Sequence, residues 1–430
     1  MIYTVVLGCI CATAVASGQD KHFNKFSLED GLPSNYINAV ATDSLGFIWI
    51  GTEKGIVRYN GYEFQSLASG NDSLDKARLV SANVLDIAID HNNCVWFGTW
   101  TGLAKYDQAA NTYTVYTEDT VNNHHQILNN YCRAVEIDKN NNVWVGNWYG
   151  LTIIRQQANQ IQNIKLPAIT GDIFSGCVVS LLPDENEKEV WLGTWSGYIY
   201  RYNLPNNEFT RVKSEQNELG SPINGFVADL YRHPNGQLYA CTWAQGLCTI
   251  NEQALTISQS PARLNTVRAH KALSVNHQLY VGTENGLNVV STNGSSFYLP
   301  DANIEGGLSS KVILDFTTDK QGGLWMATIA GANYYHPLYT KFQKITYNLY
   351  KETSLPSNTV ASVFEYPKGI NWFSTDKGLY IVDLKSKKTY TPRELGVNMD
   401  PQTLVHSFCS STTKPWSLAP QPLYWCTIWP

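Results

Sequence analysis

Residues 43–60 read Asp43-Ser-Leu-Gly46-Phe-Ile-Trp49-Ile-Gly51-Thr-Glu-Lys-Gly55-Ile-Val-Arg-Tyr59-Asn60. This cassette consists of a turn, an apolar segment carrying an aromatic residue, a small residue, and a glycine six residues after the aromatic. It returns along the chain, so that its aromatic anchor recurs every 41–48 residues. The anchors are Trp49, Trp96, Trp144, Trp191, Tyr239, Tyr280, Trp325 and Trp372. A repeat of this length, built of short strands, predicts the blades of a β-propeller.

Each cassette predicts four strands. An alternating stretch such as Val84-Leu-Asp-Ile87-Ala-Ile89 comes first and is typical of a half-buried strand, here called strand A. The turn leads into strand B, which carries the anchor, and the small residue at the position of Gly51 leaves room for the neighbouring blade. Strand C follows the glycine, and a more polar strand D such as Thr112-Tyr-Thr-Val-Tyr116 completes the blade. The predicted fold is all-β: a seven-bladed β-propeller of four-stranded blades, followed by the start of an incomplete second propeller.

A closed ring needs its last blade completed, because a sheet with a free edge invites pairing with other chains. The segment His22-Phe23-Asn-Lys-Phe26-Ser27 has the pattern of a strand D without a blade of its own. We predict that it pairs with strand C of blade 7 near residues 332–335.

The repeat pattern also divides the chain. Residues 1–18 are apolar and small, with Ala14-Val-Ala16-Ser17 as a cleavage context, and predict a secretory signal peptide. Residues 22–336 form the predicted seven-bladed propeller, and 337–403 the start of a second one. Residues 404–430 lose the cassette and are expected to be an aberrant or disordered tail.

Composition and charge limit the function classes. The chain has 13 Trp and 25 Tyr among 430 residues, with 16% charged residues and a net charge of −5. Such a chain has no basic surface with which to attract nucleic acid. Seven cysteines follow the predicted leader without CxxC spacing, which favours small buried apolar residues over a zinc or redox site. A disulfide between Cys241 and Cys248 is the alternative.

The cassette and an inter-blade phrase resemble the two-component regulator propeller repeat. The phrase is Glu29-Asp-Gly-Leu32-Pro-Ser-Asn35, with returns at Gly307-Leu-Ser-Ser310 and Ser354-Leu-Pro-Ser-Asn358. The resemblance implies the periplasmic sensor part of a Bacteroidetes-type hybrid two-component histidine kinase. Such receptors have two propellers, a β-sandwich, an inner-membrane helix, and kinase, receiver and DNA-binding modules, and the full-length form could be a homodimer. Residues 1–430 would be a fragment of this plan.

What the resemblance implies about function follows from that plan. The chain would be exported to the periplasm, bind an oligosaccharide, and act through a phosphorelay in transcriptional control of glycan utilisation. The kinase activity would belong to a part absent from residues 1–430, so this chain is predicted not to be an enzyme. The missing second propeller and kinase parts would be its partners, and no nucleic acid is contacted by this region.

Four tryptophans form the candidate ligand-binding set. They lie two residues after the small strand B residue in blades 2–5, and are Trp100, Trp148, Trp195 and Trp243. These loops lie on the propeller face that also carries the connectors from strand D to strand A. Flat aromatic side chains can stack on sugar rings there. The alternative is that they wedge between adjacent blades.

Other candidate residues are weaker. The pair His124-His125 could bind a metal, and Asp138, Asn140 and Asn142 alternate as in a calcium loop, but a solvated connector and a turn explain them better. Asp86, Glu136, Asp229 and Asp315 lie on predicted A strands and could converge on the channel as a glycosidase pair would. No nucleophile elbow, HExxH or phosphate loop is present.

The sequence therefore assigns no catalytic residue, metal or cofactor. Two other function classes stay open beside the sensor, namely a secreted propeller enzyme acting on glycans as lyase or hydrolase, and a protein-interaction scaffold.

Overall fold

The computed structural model describes the chain in several stretches. These are residues 21–67, 83–118, 126–184, 188–214, 225–292, 294–301, 306–338, 345, 347, 354–365, 367–383, 385–386 and 388–396. The predicted leader at 1–18, the predicted tail at 404–430 and the pair His124-His125 lie outside the described residues. By its internal contacts the chain divides into two compact units, Met1–Thr340 and Lys341–Pro430.

In the described part of the first unit, seven β-sheets follow one another, each with antiparallel strands in the order A, B, C, D. Blade 1 contains Ile37–Thr42, Ile48–Thr52, Gly55–Tyr59 and Phe64–Ser66, and blade 2 contains Val84–Ile89, Val95–Thr99, Gly102–Asp107 and Thr112–Tyr116. Blade 3 contains Cys132–Ile137, Val143–Asn147, Gly150–Arg155 and Gln160–Lys165, and blade 4 contains Val178–Pro183, Glu189–Thr194, Ile199–Asn203 and Glu208–Arg211. Blade 5 contains Val227–Arg232, Leu238–Thr242, Gly246–Asn251 and Thr256–Gln259, and blade 6 contains Ala269–Val275, Gln278–Thr283, Gly286–Ser291 and Gly294–Tyr298. Blade 7 contains Ile313–Thr318, Leu324–Thr328, Gly331–Tyr335 and, as its strand D, Phe23–Phe26. A short strand, Lys213–Ser214, pairs in parallel with strand D of blade 5. The predicted all-β propeller class is confirmed.

The anchors hold neighbouring blades together. Trp49 of blade 1 is buried against Val84 and Ile87 of blade 2, and Trp144 of blade 3 against Val178 of blade 4. The small strand B residue allows this close approach, because a Cβ on Gly98 would lie 2.5 Å from the carbonyl oxygen of the next blade's strand A. The core of the ring therefore consists of the interfaces between sheets.

Three of the anchors also have a polar partner in the turn that precedes them. The indole nitrogen of Trp144 donates to Asp138 Oδ2 at 2.9 Å, and Trp49 and Trp96 bond in the same way to Asp43 and Asp90. The other carboxylate oxygen of each aspartate accepts backbone amides of its own turn. The turn and the anchor are thus joined, and the buried indole nitrogen is satisfied. Both carboxylate oxygens of Asp138 are engaged by its own turn and by the anchor.

The predicted closing strand is confirmed. Phe23–Phe26 pairs antiparallel with strand C of blade 7, so that Phe23 lies opposite Tyr335 and Phe26 opposite Ala332. The ring of Phe26 stacks on Trp325 with centroids 5.1 Å apart. Blades 7 and 1 share a hydrophobic cluster, which closes the ring. The first strand among the described residues thus completes the last blade.

The second unit contains one sheet among its described residues, with strands Val360–Glu365, Ile370–Thr375, Gly378–Asp383 and Lys388–Tyr390. Its core is Trp372 with Leu379 and Ile381. Val363 on its strand A is 55% exposed, whereas the A strands of the first unit are largely buried. This sheet therefore has the sequence cassette and the strand pairing of a blade, but its strand A is exposed to solvent.

The described cysteines are buried and free. Cys241 lies opposite Leu247, and Cys248 lies opposite Ala240, so the two are not cross-strand partners. The disulfide alternative is wrong for this pair, and the thiols pack as small apolar groups. Among the described residues, no helix is long and apolar enough to span a membrane.

Candidate functional site

The A strands surround the axis of the first unit and line a narrow central cavity of about 60 Å³. Each A strand has an irregular register near its start, as between Val84 and Asp86 in blade 2. This bulge turns both the extra residue and the one after it toward the axis. The axis is therefore lined by side chains from all seven blades, including Asp86, Glu136, Asp229 and Asp315. The structure thus brings together the four carboxylates that the sequence placed on A strands.

Three of these carboxylates tie one blade to the next. Asp86 Oδ2 accepts the amide of Val135 at 2.8 Å. Asp229 and Asp315 accept the amides of Ala272 and Val40 at 3.1 and 2.9 Å. Each bond runs from one A strand to the following A strand, and the last one crosses from blade 7 to blade 1. Their first task is therefore structural.

Lys271 is the cation inside this ring of acids. Its Nζ lies 3.3 Å from Asp229 Oδ1 and 3.7 Å from Asp315 Oδ1. Burial alone would lower the pKa of Lys271, but the surrounding carboxylates raise it well above its ordinary value. The Lys271 side chain is 30% exposed, toward the cavity that it lines. Lys271 remains charged and joins blades 5, 6 and 7.

Glu136 is the carboxyl group of this set that is protonated in the folded chain at neutral pH. Burial raises its pKa to about 8, the other carboxylates act in the same direction, and Lys271 opposes them. Burial also raises the pKa of Asp315 to about 6, against Lys271. Below about pH 8 the protonated form of Glu136 therefore predominates.

We expect Glu136→Gln to change how stability depends on pH. The ordinary pKa is 4.5 and the folded value about 8, so the folded chain keeps a proton that the unfolded chain releases. The stability conferred by that proton is fully present below pH 4.5 and is lost as the pH rises to about 8. Glutamine stays neutral, so the variant should match the wild type at pH 4.5 and exceed it at pH 9 by about 1.4 kcal/mol or more, the equivalent of one pKa unit.

Thermal melts at the two pH values measure this difference. The matched control is Glu208→Gln, because Glu208 is exposed on an outer strand of blade 4. Equal pH dependence of Glu136→Gln and the wild type would contradict the assignment.

The four predicted tryptophans form part of a continuous row of rings on the face where the A strands begin. We call this row the aromatic belt, and its members are Trp100, Tyr131, Trp148, Phe174, Trp195, Phe226, Trp243 and His270. Successive ring centroids lie 4.7, 5.3, 5.4, 6.1, 5.0, 5.1 and 5.5 Å apart. Most pairs are inclined to each other, as aromatic pairs prefer.

Each belt tryptophan packs on an aromatic side chain from the next blade, yet Trp100, Trp195 and Trp243 remain 52%, 39% and 37% exposed. This geometry is therefore compatible with both interpretations of the tryptophans, as wedges between adjacent blades and as aromatic rings accessible to a ligand. The pattern of the repeat did not identify the belt members that alternate with these tryptophans, namely Tyr131, Phe174, Phe226 and His270. A signal existed, because aromatic residues immediately before strand A recur at Tyr36, Tyr131 and Phe226.

His270 ends the belt with fixed hydrogen bonds. Its Nδ1 accepts from the indole nitrogen of Trp243 at 3.4 Å, so Nε2 carries the proton and donates to Glu284 Oε1 at 3.0 Å. Burial lowers the pKa of His270, and the bond to Glu284 opposes that effect. Both ring nitrogens are engaged, so His270 orients Trp243. No cluster of three or more metal-binding side chains exists among the residues that the structure describes.

Comparison with known proteins identifies the repeat. Residues 31–54, which include strands A and B of blade 1, match the family described as Two component regulator propeller. The predicted repeat type is thereby confirmed. No curated protein is significantly similar to this chain in sequence.

Solved structures show the same fold. The extracellular domain of a hybrid two-component system of B. thetaiotaomicron is 18% identical with a TM-score of 0.63, over 86% of this chain and 49% of that one. A second such domain from this organism is 20% identical with a TM-score of 0.59, over 84% and 45%. This chain spans about half the length of those domains.

A virginiamycin B lyase from Staphylococcus aureus, as a catalytically inactive variant with quinupristin, is 12% identical with a TM-score of 0.54, over 73% of this chain and 98% of that one. At these identities the likeness extends to the fold alone, which receptors and enzymes share.

Proposed function

We propose that the first unit is the ligand-sensing module of an extracytoplasmic hybrid two-component receptor, and that it binds an oligosaccharide on the aromatic belt. The repeat type and the fold likeness to extracellular receptor domains support this role. In the proposal, the module lies in the periplasm and passes its signal to kinase and DNA-binding parts of the same receptor. The output would be transcriptional control of glycan utilisation.

The observation that carries the proposal is the belt itself. Three tryptophans with large exposed fractions lie in one row of rings on the face where the A strands begin, and the belt members Phe226 and His270 also line the central cavity. Exposed rings at fixed spacing offer several stacking positions to a chain of sugar rings. Large aromatic side chains held in place lose little conformational freedom on binding, which favours affinity.

Catalysis by the channel acids is less well supported. Asp86, Asp229 and Asp315 accept backbone amides from neighbouring blades, and Lys271 bridges two of them. An acid–base pair needs carboxylates directed at a substrate, whereas these point into a cavity of about 60 Å³. The lyase-like fold of one neighbour adds no catalytic residue to this chain.

Binding should be visible in the intrinsic fluorescence of the full chain. A panel of neutral and acidic oligosaccharides is titrated, and we expect at least one to change the tryptophan emission saturably. Trp100→Ala, Trp195→Ala and Trp243→Ala should each weaken that binding by about 1–3 kcal/mol, the range measured for stacking and contact residues.

Folding should be largely retained in these variants, because the mutated rings are half-exposed. Lys139→Ala is the control, since Lys139 is exposed on the turn between strands A and B, at the opposite end of strand A from the belt. If the belt variants bind as tightly as Lys139→Ala, the ligand face is elsewhere.

A further inference from the structure

Arg133 lies at the mouth of the central cavity, in the middle of the belt. It is the extra residue of the bulge in strand A of blade 3 and lines the cavity. Its Nη1 donates to the carbonyl of Leu85 in blade 2 at 3.2 Å. Its guanidinium carbon also lies 5.8 Å from the ring centroid of Phe226 in blade 5. The side chain therefore extends across the mouth, between blades on different sides of the ring.

The guanidinium retains hydrogen-bonding capacity. Arginine has five N–H donors, and the bond to Leu85 uses one of them. In the stretches that the structure describes, Arg133 has no carboxylate within ion-pair distance. Apolar side chains lie on one side of it, since Leu85, Val179 and Phe226 form a cluster at the mouth, and charged groups of the cavity lie on the other. A guanidinium with free donors beside apolar side chains favours an oxyanion, because its hydrogen bonds to a charged group are strengthened where water is partly excluded.

A second guanidinium lies farther along the belt. Arg268 is exposed, and its guanidinium carbon is 5.8 Å from the ring centroid of Trp243. Arg133 and Arg268 both act electrostatically on His270, and both lower its pKa. Both cations are therefore near enough to His270 to act on it, and each lies beside an aromatic ring of the belt, Phe226 for Arg133 and Trp243 for Arg268.

Of the acids that line the cavity, Asp86 interacts electrostatically with Arg133, but burial raises the pKa of Asp86 and its carboxylate already accepts the amides of Val135 and Ile87. Asp86, Asp229 and Asp315 are bound to backbone amides, and Lys271 lies among them. Glu136 is protonated over the neutral range because burial raises its pKa to about 8. A ligand arriving from the belt meets Arg133 first.

We propose that the oligosaccharide bound by the belt is acidic, and that an oxyanion on one of its sugars is held by Arg133, with Arg268 as the second cation. This inference rests on the proposed function and specifies its ligand class. A carboxylate of a uronic acid and a sulfate ester share the required chemistry, because each presents two oxygens to a guanidinium fork.

The experiment compares matched oligosaccharides that differ in the anionic group alone. One pair is oligogalacturonides and their carboxyl-reduced counterparts, and a second is sulfated carrageenan oligosaccharides and their desulfated counterparts. The full chain is titrated with each by calorimetry. We expect binding in at least one anionic arm, and at least tenfold weaker binding of its neutral counterpart.

Arg133→Gln should then weaken anion binding about 10- to 100-fold, as expected for a lost hydrogen bond to a charged group, and leave the affinity for the neutral counterpart unchanged. Arg155→Gln is the control, because Arg155 is on strand C of the same blade and bonds to Gln162 at the surface. If Arg133→Gln fails to fold, Arg133→Lys keeps the charge without the fork and should still reduce the preference for the anion.

The outcomes separate the two proposals. Equal loss of anionic and neutral binding in Arg133→Gln would make Arg133 a structural residue and overturn this inference alone. Tight binding of neutral oligosaccharides only would do the same, while leaving the sensor proposal intact. Absence of binding in every arm would contradict both.

Discussion

Trp144→Ala is expected to lower the free energy of unfolding by about 3–5 kcal/mol, the usual cost of truncating a buried large side chain. Trp144 is 2% exposed and packs between blades 3 and 4 against Val178 and Leu181. Its removal leaves a cavity at that interface and also deprives Asp138 of its indole donor. Thermal and urea unfolding of the full chain, followed by far-ultraviolet circular dichroism, measure the change.

The matched control is Trp195→Ala, since Trp195 is 39% exposed on the belt. It should cost much less stability than Trp144→Ala. If both variants unfold equally readily, the belt tryptophans are core residues, and their exposed area has no special role.

Deleting residues 22–28 is the second change with a large expected effect. The deletion removes strand D of blade 7 and with it the burial of Phe23, worth about 1.5–3 kcal/mol for a fully buried side chain, together with the partial burial of Phe26. It also exposes the edge of Gly331–Tyr335, which favours association between chains. We therefore expect a loss of more than about 3 kcal/mol and new concentration-dependent aggregation.

Calorimetry and light scattering report the two effects together. Lys25→Ser in the same strand serves as the control, because Lys25 is exposed and its replacement leaves the backbone pairing of the strand in place. A deletion variant that melts like the wild type and stays monomeric would show that ring closure does not depend on this strand.

The sequence predicted the blades because each one is specified locally. The anchor, the small residue and the glycine lie within a few residues of one another, and each acts through the blade interface that directly follows. The closing strand was also predictable, since Phe23–Phe26 was a strand pattern without a blade. Repetition made these features visible without any knowledge of distant contacts.

The chemistry at the axis was not predictable in the same way. Arg133 meets Phe226 only when the ring closes, and no local pattern links these two positions. The raised pKa of Glu136 likewise arises from its burial among the closed blades, to which Asp86, Asp229 and Asp315 add by converging from three other blades. Sequence reasoning found these acids as candidates, but it could not assign their hydrogen bonds to neighbouring backbones.

The hydrogen bond between the turn aspartate and the anchor indole was only partly predictable from the sequence. The spacing is constant, as in Asp43 and Trp49 or Asp90 and Trp96, so the pairs could be noticed. Their contact depends on the turn folding back over strand B, which the spacing alone does not state.

Protection of the belt tryptophans from oxidation tests the central claim most directly. The full chain is exposed to brief hydroxyl-radical oxidation with and without a saturating oligosaccharide identified in the fluorescence titrations, and each tryptophan is quantified by peptide mass spectrometry. The account predicts that Trp100, Trp195 and Trp243 are oxidised in the free chain and protected in the complex, whereas the buried anchors Trp49 and Trp96 are unreactive in both. Saturable binding that leaves all three belt tryptophans as reactive as in the free chain would contradict it.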